Sequence, residues 1–399
     1  TKHRGEYLNR ILYDGSNRPY KFLGTTNGVA AVNVVAGGKG TVGPYAGGWQ
    51  TNAMKNRLGM LLPDTLHVSP EEVAVCAQEI NNHLTKADCI QHLHVCKTNG
   101  TPPINYHDIA LLADMEQGWN TPEKIRISVK LAIENGVNVI HIEDQGEKKR
   151  CGHLGDKELN VYEDYALILR AANLAAQEIL GKEQAEKQWV RFVARTDAYS
   201  AKRIVNSSNL YNPAHDEHKF VDWTRGTTSD GKYLYLKQGI NPDTGRTWGM
   251  DLSIERGIKV VDQGLASHVW METPNADLDV AREYLINVNK VLMKMGKRAQ
   301  GLYNHSPSFD WDVKFSADAI PLATVLVNTL HGVTTQATPA DIHKLLCKHG
   351  SDVKGDHIFG QDAINNILVA HTEEQDYDRL KYRLGEIIVD ERLNNFSKM

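Results

Sequence analysis

The sequence predicts an α/β protein, a (β/α)8 barrel of the TIM type with additional N- and C-terminal helices. Three observations lead there. Short apolar runs alternate with helical stretches through the middle of the chain, which implies a parallel sheet covered by helices. The apolar runs end in charged or amide side chains, as the strands of a barrel enzyme do on its active face. No Gly-x-Gly-x-x-Gly follows a first strand, which disfavours a dinucleotide-binding open sheet.

The elements follow in order. Ile109–Ala113 reads as a buried strand. Thr121-Pro122-Glu123 supplies an N-cap, a proline at the first helical position and an acid in the first turn. That helix runs through Ile125, Val129, Leu131 and Ile133, and Gly136 is placed to end it. Val137–Ile142 is the next strand, and Tyr162–Leu180 a helix closed by Gly181. Val190–Ala194, Ala266–Met271 and Ala299–Tyr303 read as strands, with helices over Asp251–Asp262 and Asp277–Met295. Residues 206–246 are rich in Gly, Asn, Asp and Thr and read as a long excursion of the kind that covers a site. The chain divides into an N-terminal segment (1–40), a barrel (41–335) with a loop at 146–157, and a C-terminal helical segment (336–399) with helices over 339–348, 361–370 and 376–389.

Composition narrows the function. The 399 residues carry a net charge of −4, which is no nucleic-acid footprint. No apolar run approaches the roughly 18 residues that span a bilayer, and the first residues lack the apolar stretch of a secretory signal. The five cysteines form no Cys-x-x-Cys pair, so a reducing, cytoplasmic setting is expected. The final Ser397-Lys398-Met399 resembles the Ser-Lys-Leu peroxisomal address and gives the alternative compartment.

The strand ends carry the chemistry. Successive strands run into Asp114-Met115-Glu116, Glu143-Asp144-Gln145, Arg195-Thr196-Asp197, Glu272-Thr273 and Asn304-His305-Ser306-Pro307-Ser308. A single strand-end acid is most often a loop cap or a surface charge; five polar strand ends in succession point to a site. Asp114, Glu116 and Glu143, with no Cys or His partner nearby in sequence, suit a hard cation, Mg²⁺ or Mn²⁺. In Lys148-Lys149-Arg150-Cys151-Gly152-His153 a cysteine follows three cations, and nearby positive charge lowers a thiol pKa. Read alone, this segment is equally a solvated basic turn with an incidental cysteine.

Lys149-Arg150-Cys151-Gly152-His153-Leu154 resembles the signature hexapeptide of the isocitrate lyase family, which belongs with the phosphoenolpyruvate mutases. The family's other motifs follow in its order: Gly47-Gly48-Trp49-Gln50, Pro63-Asp64, Ala113-Asp114-Met115-Glu116, Ile142-Glu143-Asp144-Gln145, Ala194-Arg195-Thr196-Asp197, Trp270-Met271-Glu272-Thr273 and Tyr303-Asn304-His305-Ser306-Pro307-Ser308. The resemblance covers roughly residues 20 to 311. It implies a barrel that cleaves isocitrate to glyoxylate and succinate, as a homotetramer acting on a small tricarboxylate. It implies Asp114 on a Mg²⁺ ion, with Asp64, Glu116 and Glu143 holding the ion's waters. Gly48, Trp49 and Arg195 would hold the glyoxylate half. Asn304, Ser306 and Ser308, with Gly152 and His153, would hold the succinate carboxylates. Cys151 would be the general acid. Tyr45 and Glu272 compete as the base.

Three departures from the family stand out. Gly47 replaces a serine, His305 replaces the cysteine between Asn and Ser, and the family's strand after Trp311 has only a loose candidate in 325–332. His305 keeps 2-methylisocitrate open as the substrate, with succinate and pyruvate as products. A catalytically inactive barrel used as a binding protein is the reading from another class.

Overall fold

The computed structural model describes residues 4–8, 20–25, 27–38, 40, 42–48, 51, 68–98, 100–147, 149, 156–182, 189–273, 277–304 and 325–328. Eight strands close into a barrel in which every pairing is parallel: β1 (Tyr20–Gly24), β2 (Val42–Ala46), β3 (Leu112–Asp114), β4 (Val139–Glu143), β6 (Arg191–Thr196), β9 (His268–Met271), β10 (Gln300–Asn304) and β11 (Val325–Asn328), with β11 closing on β1. The predicted barrel class stands. The barrel's first strand, however, lies inside the 1–40 segment set apart from it above. Val325–Asn328, the loose candidate, is the eighth strand. The helices expected after residue 338 lie outside the described residues.

Strand alternation explains how one barrel holds both a core and a site. Side chains alternate between the two faces of a strand. On β4, Ile140 and Ile142 pack outward into the layer shared with the helices, while Val139 joins the inner cluster with Tyr20, Phe22, Tyr45, Leu112, Val193, Trp270 and Leu302. His141 and Glu143 continue the inward file of Val139, Asp114 that of Leu112, and Arg195 that of Val193. The barrel is thus apolar at its base and charged at its carboxyl end.

The helices are α1 (Gly28–Gly37), α2 (Pro70–Thr98), α3 (Pro122–Glu134), α4 (Tyr162–Leu180), α5 (Trp248–Asp262) and α6 (Leu278–Leu292). Asn27, Thr247 and Asp277 cap α1, α5 and α6 by accepting from backbone N–H groups in the first turn. Thr121 occupies the N-cap position of α3, but its hydroxyl makes no capping bond. Pro122, with no N–H to satisfy, reduces the need for one. Gly136 follows the end of α3 at φ +87°, the left-handed conformation that glycine adopts without steric cost. No helix among the described residues is long and apolar enough to cross a membrane.

The excursion is structured. β7 (Ala201–Val205) pairs antiparallel with β8 (Tyr233–Tyr235) and parallel with β5 (Lys157–Leu159), the strand that ends the 146–157 loop. Its core gathers Leu159, Ile204, Leu210, Phe220, Leu234 and Leu252.

A buried ion network ties these parts together. Arg256 of α5 donates to Asp144 (2.6 Å), to Glu217 (2.8 Å) and to the Asn160 carbonyl (2.7 Å). Asp144 also accepts from the Thr196 hydroxyl (2.6 Å) and the Asp197 N–H (2.8 Å), and Glu217 from the Tyr162 N–H (3.0 Å). Arg256→Met should therefore destabilise the fold by about 3–5 kcal/mol, because it leaves two buried carboxylates without their cation. The denaturant midpoint measures this, and a loss under ~1 kcal/mol would refute it.

Candidate active site

The carboxyl ends of β2, β3, β4 and β6 bring the inward charged residues together. Asp114 accepts from two backbone N–H groups, Gly48 at 2.9 Å and Glu116 at 2.7 Å. Glu116 has φ +51°, a conformation a non-glycine residue rarely adopts, so the chain is held in a sparsely populated state directly after Asp114. His141 sits beneath, its Nε2 2.8 Å from the Tyr45 hydroxyl and 3.5 Å from Asp114 Oδ2. Its ring meets Trp270 edge-on at 5.0 Å. Trp270 also lies 4.7 Å below the Arg195 guanidinium, so it forms the floor between the apolar base and the charged layer.

Arg195 is the hub of that layer. It contacts Asp197 through Nε (3.1 Å) and Nη2 (3.3 Å), Glu143 through Nη1 (3.3 Å) and Glu272 through Nη2 (3.7 Å). Lys157 completes Asp197 at 2.6 Å. Lys149 donates to Glu116 and lies 3.7 Å from Glu143. All of these side chains are buried.

The charges set one another. Burial would raise the Asp114 pKa, but His141, Lys149, Arg195 and the Glu116 amide hold it at about 2. Glu143 goes the other way. Burial pushes it well above the usual carboxylate range, Arg195 and Lys149 offset part of that, and Asp197 and Asp114 add to it. Burial would lower Arg195, but Asp197, Glu143, Glu272 and Asp114 outweigh it and keep the guanidinium charged.

This donor set fits a hard dication. Five acids, Asp114, Glu116, Glu143, Asp197 and Glu272, gather in one buried cluster with Lys149, Lys157, Arg195 and the His141 imidazole. Neither oxygen of Glu143 has a hydrogen-bond partner among the described residues. Arg195 and Lys149 lie 3.3 and 3.7 Å from it without hydrogen-bonding it, so its oxygens can still accept from the waters of a hydrated ion. Among the described residues no three Asp, Glu, His or Cys side chains are grouped to hold a metal directly. Mg²⁺, which keeps several waters and needs only one or two direct carboxylates, matches that arrangement.

Residues 45–230 match the sequence model of the isocitrate lyase family. The chain resembles that family over this stretch. Among its relatives, the isocitrate lyase of Halalkalibacterium halodurans is 29% identical over 77% of this chain. The isocitrate lyase of Escherichia coli is 30% identical over 76% of it. The chain spans only 65% and 62% of those two proteins' lengths. Among solved structures, an oxaloacetate acetylhydrolase with the inhibitor 3,3-difluorooxalacetate superposes with a TM-score of 0.52 at 18% identity, over 99% of this chain and 98% of that one. It shares the fold.

From the residues singled out in the sequence, the structure brings together Tyr45, Gly48, Asp114, Glu116, Glu143, Arg195 and Glu272. Trp49, Asp64, Cys151, Gly152, His153, Ser306 and Ser308 lie outside the described residues. Asn304 is described in its backbone alone, as the last residue of β10. Lys149, one of the three cations that precede Cys151, has its ammonium engaged by Glu116 and Glu143. The sequence reading missed His141, Lys157 and Arg256, and it named Asp197 at a strand end without giving it a role. The signal for His141 was available: it stands two residues before Glu143 on one strand and so shares its face.

Proposed function

We propose that the chain is a carbon–carbon lyase that cleaves isocitrate to glyoxylate and succinate with the help of Mg²⁺ or Mn²⁺. The observation that carries the reading is the meeting, at adjacent strand ends, of Asp114, Glu143 and Arg195 beside the Tyr45–His141 pair. The resemblance to the isocitrate lyase family supplies the reaction class.

Cleavage removes the proton of the substrate hydroxyl. The C–C electron pair then moves onto the carbon beside a carboxylate, and that carbanion must be protonated. Asp114 would hold the metal, and Glu116, Glu143 and Asp64 its waters. Bound there, the ion would supply positive charge to the oxygens that become negative. Arg195, with Gly48 and Trp49, would hold the glyoxylate half. Its guanidinium cannot lose its proton among these acids, so it serves as an anchor and not as an acid.

Tyr45 is favoured as the base over Glu272. Its hydroxyl is hydrogen-bonded to the His141 imidazole at 2.8 Å, whereas Glu272 is tied to Arg195. Cys151 would deliver a proton to the carbanion. Asn304, Ser306, Ser308, Gly152 and His153 would hold the succinate carboxylates.

The test is glyoxylate and succinate release from isocitrate, run beside pyruvate release from 2-methylisocitrate. Exhaustive chelation should abolish activity and added Mg²⁺ should restore it. Full activity after chelation would sink the metal requirement. Faster turnover of 2-methylisocitrate would move the substrate assignment there. No cleavage of either substrate would favour the inactive binding barrel.

A further inference from the structure

We propose that Lys149 is an internal counter-cation that sets how tightly this site holds its divalent metal ion. The inference rests on the metal reading above and concerns this chain's own residues. Lys149 comes from the loop after β4, yet its side chain is fully buried among the acids. Its ammonium donates to Glu116 Oε2 and lies 3.7 Å from Glu143 Oε1. These two carboxylates, with Asp114, are the groups a hydrated dication would use.

A fixed positive charge on the same oxygens opposes a second one by ordinary Coulomb repulsion, and burial removes the water that would screen it. The ammonium also takes up lone pairs that would otherwise accept from the ion's waters. Lys157 and Arg195 do not share this role. Lys157 meets Asp197, and Arg195 spreads over Asp197, Glu143 and Glu272. Lys149 alone among the described cations pairs with Glu116. The site would then hold metal less tightly than its acids allow, and the loop that carries the signature hexapeptide would be tethered to the metal's water-holding carboxylates.

The experiment is calorimetric titration of Mg²⁺ into the chelator-treated chain without substrate, alongside the thermal midpoint with and without Mg²⁺. Lys149→Met should bind Mg²⁺ about 10–100-fold more tightly, the range over which groups around metal ligands tune affinity. Its thermal midpoint should also rise more on Mg²⁺ addition than that of the wild type. Lys149→Arg, which keeps the charge, should stay near wild type. Should Lys149→Met fail to fold, Lys149→Gln, neutral but still able to donate to Glu116, serves the same comparison. Equal or weaker Mg²⁺ binding in the neutral variants, with normal binding in the wild type, would overturn the proposal and leave the metal reading intact. A wild-type chain with no Mg²⁺ binding would overturn both.

Discussion

Cys151→Ser should bind substrate nearly normally and lose about 10²–10⁴-fold in turnover, the usual cost of removing a general acid. A serine hydroxyl fits the same space, but its proton is far less available than that of a thiol. The loop that carries Cys151 is held at its described ends by the site itself: Lys149 on Glu116 at the end of β3, and Lys157 on Asp197 at the end of β6. Alkylating agents should modify Cys151 in the free enzyme, and succinate should protect it. A serine variant with wild-type turnover would show that the cysteine only packs the loop, and the search for the acid would move to His153.

Asp114→Asn should cost more than Glu116→Gln. The glutamine change removes a group placed to hold the ion's waters, for which a loss of about 10–100-fold is typical. The asparagine change removes the one acid whose charge His141, Lys149 and Arg195 jointly stabilise. It also leaves a single acceptor oxygen for two N–H donors, those of Gly48 and Glu116. Metal affinity and kcat should therefore both fall further than in Glu116→Gln. Mg²⁺ titration of the two variants side by side decides it. An Asp114→Asn enzyme no worse than Glu116→Gln would show that the direct ligand lies elsewhere.

Most of the barrel could be read from the chain because its strands are short apolar runs bounded by polar ends. The observed β3, β4 and β6 start one to three residues later than expected, since the ladder begins after the first apolar residues. β1 was missed, because Tyr20-Lys21-Phe22-Leu23-Gly24 is short and stands in a glycine-rich stretch. β5, β7 and β8 were missed for another reason. β7 has only two fully buried positions, so its pairing is set by partners far along the chain and not by its own pattern. In the site, Asp114, Glu143, Arg195 and Glu272 were legible as strand-end charges. His141 was hidden inside an apolar run. Arg256 sits midway along an amphipathic helix, and Asp144, which it meets, is 112 residues away. No local spacing rule reaches that far.

The three-stranded sheet has an evolutionary consequence. One of its strands, β5, ends the loop after β4, and the other two come from the excursion that separates β6 from its helix. Two connections that elsewhere in a barrel could diversify separately are joined here by a hydrogen-bonded ladder. A deletion that shortened the excursion would strip β5 of its neighbour and release one anchor of the loop that bears the signature hexapeptide. Length changes in residues 201–247 should therefore be tolerated at the turns between β7 and β8 and selected against within the strands. In lineage terms, this segment is expected to be inherited or lost together with the loop it braces.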